Sequence, residues 1–239
     1  LRDAARTNAY GDALMKNGDF LKGKVVLDIG CGTGILCLFA ARAGARKVVG
    51  VDCSSIALKA REIVHRNGFD DVITIVRGRL EEVELPLEEG EVDVIVSEWM
   101  GYGLYYENML PAVLAARDKY LKGLGGGVEE EKKHSSRTAP PSPAAMLPSH
   151  SLLFLEAASI PDTQSEMHGN DDGDRVRWWN DVYGFDMRDM APLFTAEAQV
   201  DLSSPESIVS DRAEVHRLEV VRAVDVDLDF EIPFALVST

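Results

Sequence analysis

Apolar positions in the first half of the chain fall into short blocks whose period alternates between strand and helix. Residues 25–29, "VVLDI", are apolar apart from Asp28 and are closed by Gly30, which predicts a buried strand. In 35–44, "ILCLFAARAG", apolar residues recur at helical spacing and stop at Gly44, a residue suited to a helix C-cap. The alternation continues with a strand over 47–52 and a helix over 54–68, with Ser54 or Ser55 as N-cap. Strands over 72–78 and 92–99 follow, then a helix over 109–121 with Pro111 in its first turn. Strands and helices in that order predict a parallel sheet covered on both faces, because each parallel connection needs a crossover.

Past Gly123 that pattern stops. Residues 124–145 are rich in Gly, Glu, Lys, Ser and Pro without an apolar period, as expected of a flexible insertion or linker. Beyond it, short apolar runs at 151–158, 207–211, 213–224 and 228–238 have no long helices between them and predict a second, β-rich unit. Residues 175–190, "RVRWWNDVYGFDMRDM", are aromatic and expected to be helical in part. The expected organisation is a first domain over 1–123, the linker over 124–145, and a second domain over 146–239.

Composition adds a bias in charge. Forty acids against 25 bases leave the 239 residues at a net charge of −15, which repels nucleic acid and favours Arg- or Lys-rich partners, although solubility alone also explains it. No apolar run is long enough to cross a bilayer, and no membrane partner is expected. The first residue is Leu, so a natural N-terminus is expected to lie upstream. Cys31, Cys37 and Cys53 form no CxxC pair and read as reduced intracellular thiols, and the histidines are scattered, so no metal site is expected. His216 has no partner visible in the sequence and is expected at an edge or on the surface.

The turn after the first strand carries candidate chemistry. "VLDIGCGTG", residues 26–34, places Gly30, Gly32 and Gly34 between strand and helix, where a tight turn lets a ligand approach the backbone. The dinucleotide fingerprint wants Gly at position 35, and this chain has Ile. Asp28 just before the turn would repel phosphate and suits a cationic or zwitterionic ligand. Asp52, ending the second strand, is placed to accept hydrogen bonds from ribose hydroxyls. A turn with no ligand is the plainer alternative.

From "LDIGCGTGILCLFAARAGARKVVGVDCSS" through "GRLEEVELP", "SEWMGYGLYYENML", "MLPSH" and "RWWNDVYGFDM", the chain resembles the protein arginine N-methyltransferases, enzymes that depend on S-adenosylmethionine. In detail it is most similar to type I, fungal members. The resemblance implies an α/β, Rossmann-like class I methyltransferase domain followed by a partial β-barrel domain. It implies a helical dimerisation arm around 165–193, where Trp178, Trp179, Tyr183 and Phe185 fall, and hence a homodimer. A core for the second domain would use the same aromatic cluster equally well. For the cofactor, whose product is S-adenosylhomocysteine, the resemblance implies contacts from Arg6 to the methionine carboxylate, Asp28 near the methionyl group, Gly30 and Gly32 against the backbone, Asp52 on the ribose and Glu81 at the adenine amino group. Met109 and Tyr102 are implied to line the acceptor pocket. Plain alternatives stand beside three of these: a surface arginine at Arg6, a solvated acid at Glu81, and core packing at Met109.

Glu98 and Glu107 are the implied catalytic pair. Gly101 and Gly103 between them let the loop fold back, and no Lys or Arg lies inside it. Two close carboxylates repel, and burial beside Trp99, Tyr102, Tyr105 and Tyr106 would raise at least one pKa. A substrate guanidinium removes that conflict, because it is planar, always charged and presents paired N–H donors to carboxylates. The alternative is that Glu98 caps a strand end and Glu107 faces solvent. The family also has an aromatic-rich helix upstream and a Thr-His-Trp loop downstream of the matched region, so weak cofactor binding and little turnover are expected of these residues alone. Arg/Gly-rich basic proteins are the expected substrates, in cytoplasm or nucleus, with a catalytically silent binding module as the competing reading.

Overall fold

The computed structural model of the protein describes residues 3–16, 19–123, 145–159, 177–190, 204–231 and 233–237. The chain divides into two compact units, Leu1–Leu152 with His216–Glu231, and Leu153–Val215 with Ile232–Thr239.

The first unit begins with helix α1 (Ala4–Met15), which sequence reasoning missed. Asn8 and Gly11 dilute its pattern, and its inward stripe amounts to little more than Tyr10, Gly11 and Leu14. The legible signal was Asp3, whose carboxylate accepts a hydrogen bond from Arg6 N at 3.0 Å and caps the helix. Then come β1 (Val25–Ile29), α2 (Ile35–Arg42), β2 (Lys47–Asp52), α3 (Ile56–Arg66), β3 (Ile73–Arg77), β4 (Val94–Ser97), α4 (Leu110–Tyr120) and β5 (Ala145–Leu147). All five strands are parallel in the order β3-β2-β1-β4-β5.

Period-2 alternation sorts β1 between two cores. Val25, Leu27 and Ile29 pack with Leu110, Val113 and Leu114 of α4 on one face. Val26 points to the other, among Leu14 of α1, Leu36 and Ala40 of α2 and Ala57 and Val64 of α3. Burial on both faces is why β1 reads as an apolar run, each such side chain stabilising the fold by roughly 1.5–3 kcal/mol. With β2 on one side of β1 and β4 on the other, the strand order reverses between β1 and β4, and the carboxyl ends there are where open α/β sheets place ligands.

Two boundaries differ from expectation. The last strand of the first segment is shorter, Val94–Ser97, because Trp99 leaves the sheet and buries itself, 1% exposed, in the α4 core. The sheet also continues past the expected linker through β5, and the first unit reclaims residues 216–231, so the expected break at 123–146 does not coincide with the compact units. Buried Arg117 of α4 secures part of the reclaimed segment by donating to Val220 O at 2.8 Å and Ala223 O at 2.6 Å.

Strands β6 (His150–Leu155) and β7 (Ala213–Glu219) form a two-stranded sheet. The expected strand over 207–211 is reduced to a bridge between Ile208 and Ala158, and none forms among the described residues of 228–238. No barrel is formed among the described residues. Of the expected arm, residues 177–190 are described: single 3-10 turns at Arg177–Asn180 and Arg188–Met190 flank a tight reversal at Tyr183 and Gly184, both at positive φ. The rest of the arm, the side chain of Trp178 and linker residues 124–144 lie outside the described residues. No helix among the described residues is long and apolar enough to cross a membrane.

Candidate active site

The β1–α2 turn folds over the end of β2. Gly30 N and Cys31 N both donate to Val51 O, at 2.8 and 3.0 Å. Gly30 and Gly32 hold φ of +73° and +53°, a left-handed backbone that side chains other than glycine resist. Asp52 fastens the arrangement: Oδ2 accepts from Gly32 N at 2.8 Å, and Oδ1 accepts from Ser54 N at 2.8 Å and Ser54 Oγ at 2.6 Å. A carboxylate oxygen has two lone pairs, so Oδ2 retains capacity for a ligand hydroxyl. A β-carbon on Gly32 would meet no atom within 4 Å, whereas one on Gly30 would stand 2.4 Å from Cε of Met109. Met109, at the start of α4, therefore lies against the turn.

Asp28 is fully buried. Its Oδ2 accepts from Cys37 Sγ at 3.1 Å, while Oδ1 has no partner. Burial pushes its carboxyl up to about 7, opposed by the Cys37 hydrogen bonds and assisted by the charge of Asp52. An orphaned buried carboxylate oxygen, free space over Gly32 and the spare acceptor on Asp52 fit a nucleoside ligand bearing positive charge. They do not fit a pyrophosphate. Glu81 stands exposed after β3 and has no hydrogen bond or ion pair among the described residues, so the structure joins it to none of these groups.

The acidic loop starts where β4 ends. Ser97 Oγ donates to Ile29 O at 2.8 Å, and Tyr10 OH donates to Ser97 O at 2.9 Å, so α1 caps the β1–β4 junction. Burial and the charges of Glu98 and Asp28 raise the Tyr10 hydroxyl pKa, keeping it a donor. Beyond Trp99, Gly101 and Leu104 exchange both backbone hydrogen bonds at 3.0 Å. Glu107 then folds back until its Cγ is 2.6 Å from where a β-carbon on Gly101 would stand. The expected return of the loop is therefore present.

Two expectations about this loop are corrected. Trp99 and Tyr105 pack, with ring centroids 5.9 Å apart, but Tyr102 and Tyr106 are 64% and 80% exposed, because the reversal at 101–104 turns the loop's outer edge away from the core. Nor is the acid pair free of internal cations. Arg6 of α1 places Nη1 2.8 Å from Glu98 Oε2, while its Nε lies 3.6 Å from Asp3. The pairing was hidden because the two residues lie at distant points of the sequence. Arg6 nevertheless reaches a single oxygen: Glu98 Oε1 is buried without a partner, and Glu107, exposed, has no ion pair among the described residues. Arg6 is thus divided between Asp3 and Glu98, and Glu107 has no cation beside it among the described residues.

His216 is also corrected. It is buried, 9% exposed, and its Nδ1 lies 3.0 Å from Tyr105 OH. Of the aromatics assigned to an arm or a core, Tyr183 and Phe185 are 96% and 71% exposed, so they build no core among the described residues.

Known proteins resemble the chain over its whole length. A family model described as a methyltransferase domain matches residues 26–125, and one described as the arginine methyltransferase oligomerization subdomain matches residues 167–238. Protein arginine N-methyltransferase 1 of Chlamydomonas reinhardtii is 40% identical over 239 residues, which are 100% of this chain and 61% of that protein. Probable protein arginine N-methyltransferase 1.2 of Arabidopsis thaliana is 42% identical over 238 residues, 100% of this chain and 57% of that one. Among solved structures, the Trypanosoma brucei PRMT1 enzyme–prozyme heterotetrameric complex with AdoHcy superposes with a TM-score of 0.77 at 39% identity, covering 96% of this chain and 63% of its counterpart. The chain therefore spans about three-fifths of the curated relatives it matches.

Proposed function

The chain belongs to the protein arginine N-methyltransferase family, and on that premise we propose that it transfers a methyl group from S-adenosylmethionine to a guanidinium nitrogen of arginine in protein substrates, in the type I manner that ends at the asymmetric dimethyl product. The observation that carries this reading is the buried, unpartnered Oε1 of Glu98 beside a loop that returns Glu107. One oxygen of Glu98 met by Arg6, the other without a partner, and Glu107 without a cation among the described residues leave acceptors that a further guanidinium can complete, through paired N–H donors matched to carboxylate oxygens.

Asp52, the Gly30–Gly32 backbone, Asp28 and Glu81 are the residues that would hold the donor, with the nitrogens of Arg6 not used by Glu98 available to its carboxylate. When bound, the donor supplies an electrophilic methyl carbon on a sulfonium. The chain's own part is orientation and charge. Glu98 and Glu107 fix the acceptor, draw its positive charge away from the attacking nitrogen, and offer Oε1 of Glu98 to the departing proton. Such positioning is worth on the order of 7–11 kcal/mol of barrier.

Net charge of −15 favours Arg/Gly-rich basic proteins as substrates. The exposed Tyr183 and Phe185 within the oligomerization subdomain support self-association, for which we favour a homodimer. A silent binding module is the second reading, favoured by the Arg6–Glu98 pair already in place. Labelled donor incubated with an Arg/Gly-rich peptide separates the two. The enzyme reading expects slow but measurable labelling by the parent protein at saturating donor and a loss on the order of 100-fold or more in Glu98→Gln, as when one transition-state hydrogen-bonding group is removed. Equal labelling by both proteins removes Glu98 from the mechanism, and no labelling by the parent leaves the silent module.

A further inference from the structure

Tyr105 sits between the two acids of the loop in more than sequence. It lies two positions before Glu107, and its ring stacks at 18° on Trp99, the residue after Glu98. Its hydroxyl leaves the loop and meets Ser151 Oγ of β6 at 3.2 Å and His216 Nδ1 of β7 at 3.0 Å. The His216 ring cannot turn freely, because it lies flat on Phe230 with centroids 3.8 Å apart at 7°, and meets the Tyr105 ring edgewise at 5.7 Å. All of these residues belong to the first unit.

The loop needs such an anchor. Leu104 and Asn108 flank this stretch at φ of 64° and 50°, left-handed conformations unfavourable for non-glycine residues, which persist only where surroundings impose them. We propose that His216 is a positioning residue which, through the Tyr105 hydroxyl, holds the acidic loop in the shape that returns Glu107 to Gly101. It touches neither donor nor acceptor. Its effect on turnover rests on the arginine-methylation reading; its effect on the loop does not.

The test compares the parent with Tyr105→Phe, His216→Leu, His216→Asn and the double variant Tyr105→Phe/His216→Leu. Amide hydrogen exchange at residues 101–108 reads the loop directly. Peptide KM and kcat read the acceptor side, and titration with S-adenosylhomocysteine reads the donor side. Tyr105→Phe and His216→Leu are expected to speed loop exchange about tenfold and to lower kcat/KM for the peptide about tenfold, the size of effect one buried hydrogen bond supports. S-adenosylhomocysteine affinity should stay within about twofold, since the glycine turn is not involved. His216→Asn, which returns a polar atom near the position of Nδ1, should restore most of both losses. The double variant should be no worse than the worse single, because the two remove one interaction. Unchanged exchange in Tyr105→Phe, which keeps the ring packing and cannot fail merely by unfolding a core, overturns the proposal, as do additive losses in the double variant. A parent protein without methyl transfer would defeat the functional reading while the exchange data still decide this one.

Discussion

The glycine turn and the acidic loop both leave the carboxyl ends of neighbouring strands, yet they are secured in opposite ways. Around the turn, partners lie within twenty positions: Asp28 meets Cys37, and Asp52 binds Gly32 and Ser54. Its core is dense enough that Gly50 of β2 leaves no room for a side chain. Around the loop, partners are remote: Arg6 for Glu98, Tyr10 for Ser97, and His216 for Tyr105. Its own tip, Tyr102 and Tyr106, is exposed. The turn is a local backbone device fixed by the sheet, whereas the loop takes its shape from contacts that other elements supply.

The largest expected effect tests the buried side. With its carboxyl pushed from 3.8 to about 7, Asp28 binds its proton more tightly in the folded chain than in the unfolded one. Its contribution to stability is therefore fully present below pH 3.8 and is lost as pH rises towards 7, at up to about 1.4 kcal/mol per pH unit. Urea unfolding of the parent and Asp28→Asn across pH 5 to 8 isolates it, because other groups cancel in the difference. The variant should gain on the parent as pH rises, and a pH-independent difference would show that Asp28 is not desolvated.

Next in size is a pair of glycine substitutions, one in each region. A β-carbon on Gly50 would come within 2.7 Å of Cys37 Sγ and 2.8 Å of Ile75 Cδ1, so Gly50→Ala is expected to cost roughly 1–3 kcal/mol through overpacking. Gly103, at φ of +56°, has nothing within 4 Å of that position, so Gly103→Ala should cost only about 1 kcal/mol of backbone strain. Equal losses in a melting experiment would erase the contrast between dense turn and open loop.

That contrast also explains what the sequence revealed. Strands and helices from Val25 to Tyr120 were readable because burial on two faces imposes unbroken apolar runs and on one face imposes helical spacing. The glycine turn itself was readable because strand, turn and helix are contiguous from Val25 to Arg42, whereas the bond from Gly32 N to Asp52, twenty residues on, follows only from the pairing of β1 with β2. Helix α1 was not, since its inward face is a stripe of three residues. Neither was the Arg6–Glu98 pair nor the burial of His216, because nothing local marks residues about ninety or a hundred positions apart as neighbours. Tyr102 and Tyr106 misled for a related reason: aromatic composition says nothing of which rings a reversal at 101–104 leaves outside.

The smallest expected effect is at Arg6, and it bears most directly on how the loop is held. Its side chain is 44% exposed and that of Glu98 28%, so solvent and salt screen their 2.8 Å contact. Ion pairs of that exposure contribute about 0–1 kcal/mol, and Arg6→Gln should lose no more than that in urea unfolding, with the loss shrinking between low and high salt. Arg6→Gln/Glu98→Gln should recover most of it, because the cost of Arg6→Gln is the half-buried charge left behind rather than a missing contact. A salt-independent loss well above 1 kcal/mol would mean that α1 clamps the loop as firmly as the strands clamp the turn. In that case the internal arginine would compete with a substrate guanidinium instead of leaving Oε1 of Glu98 for it.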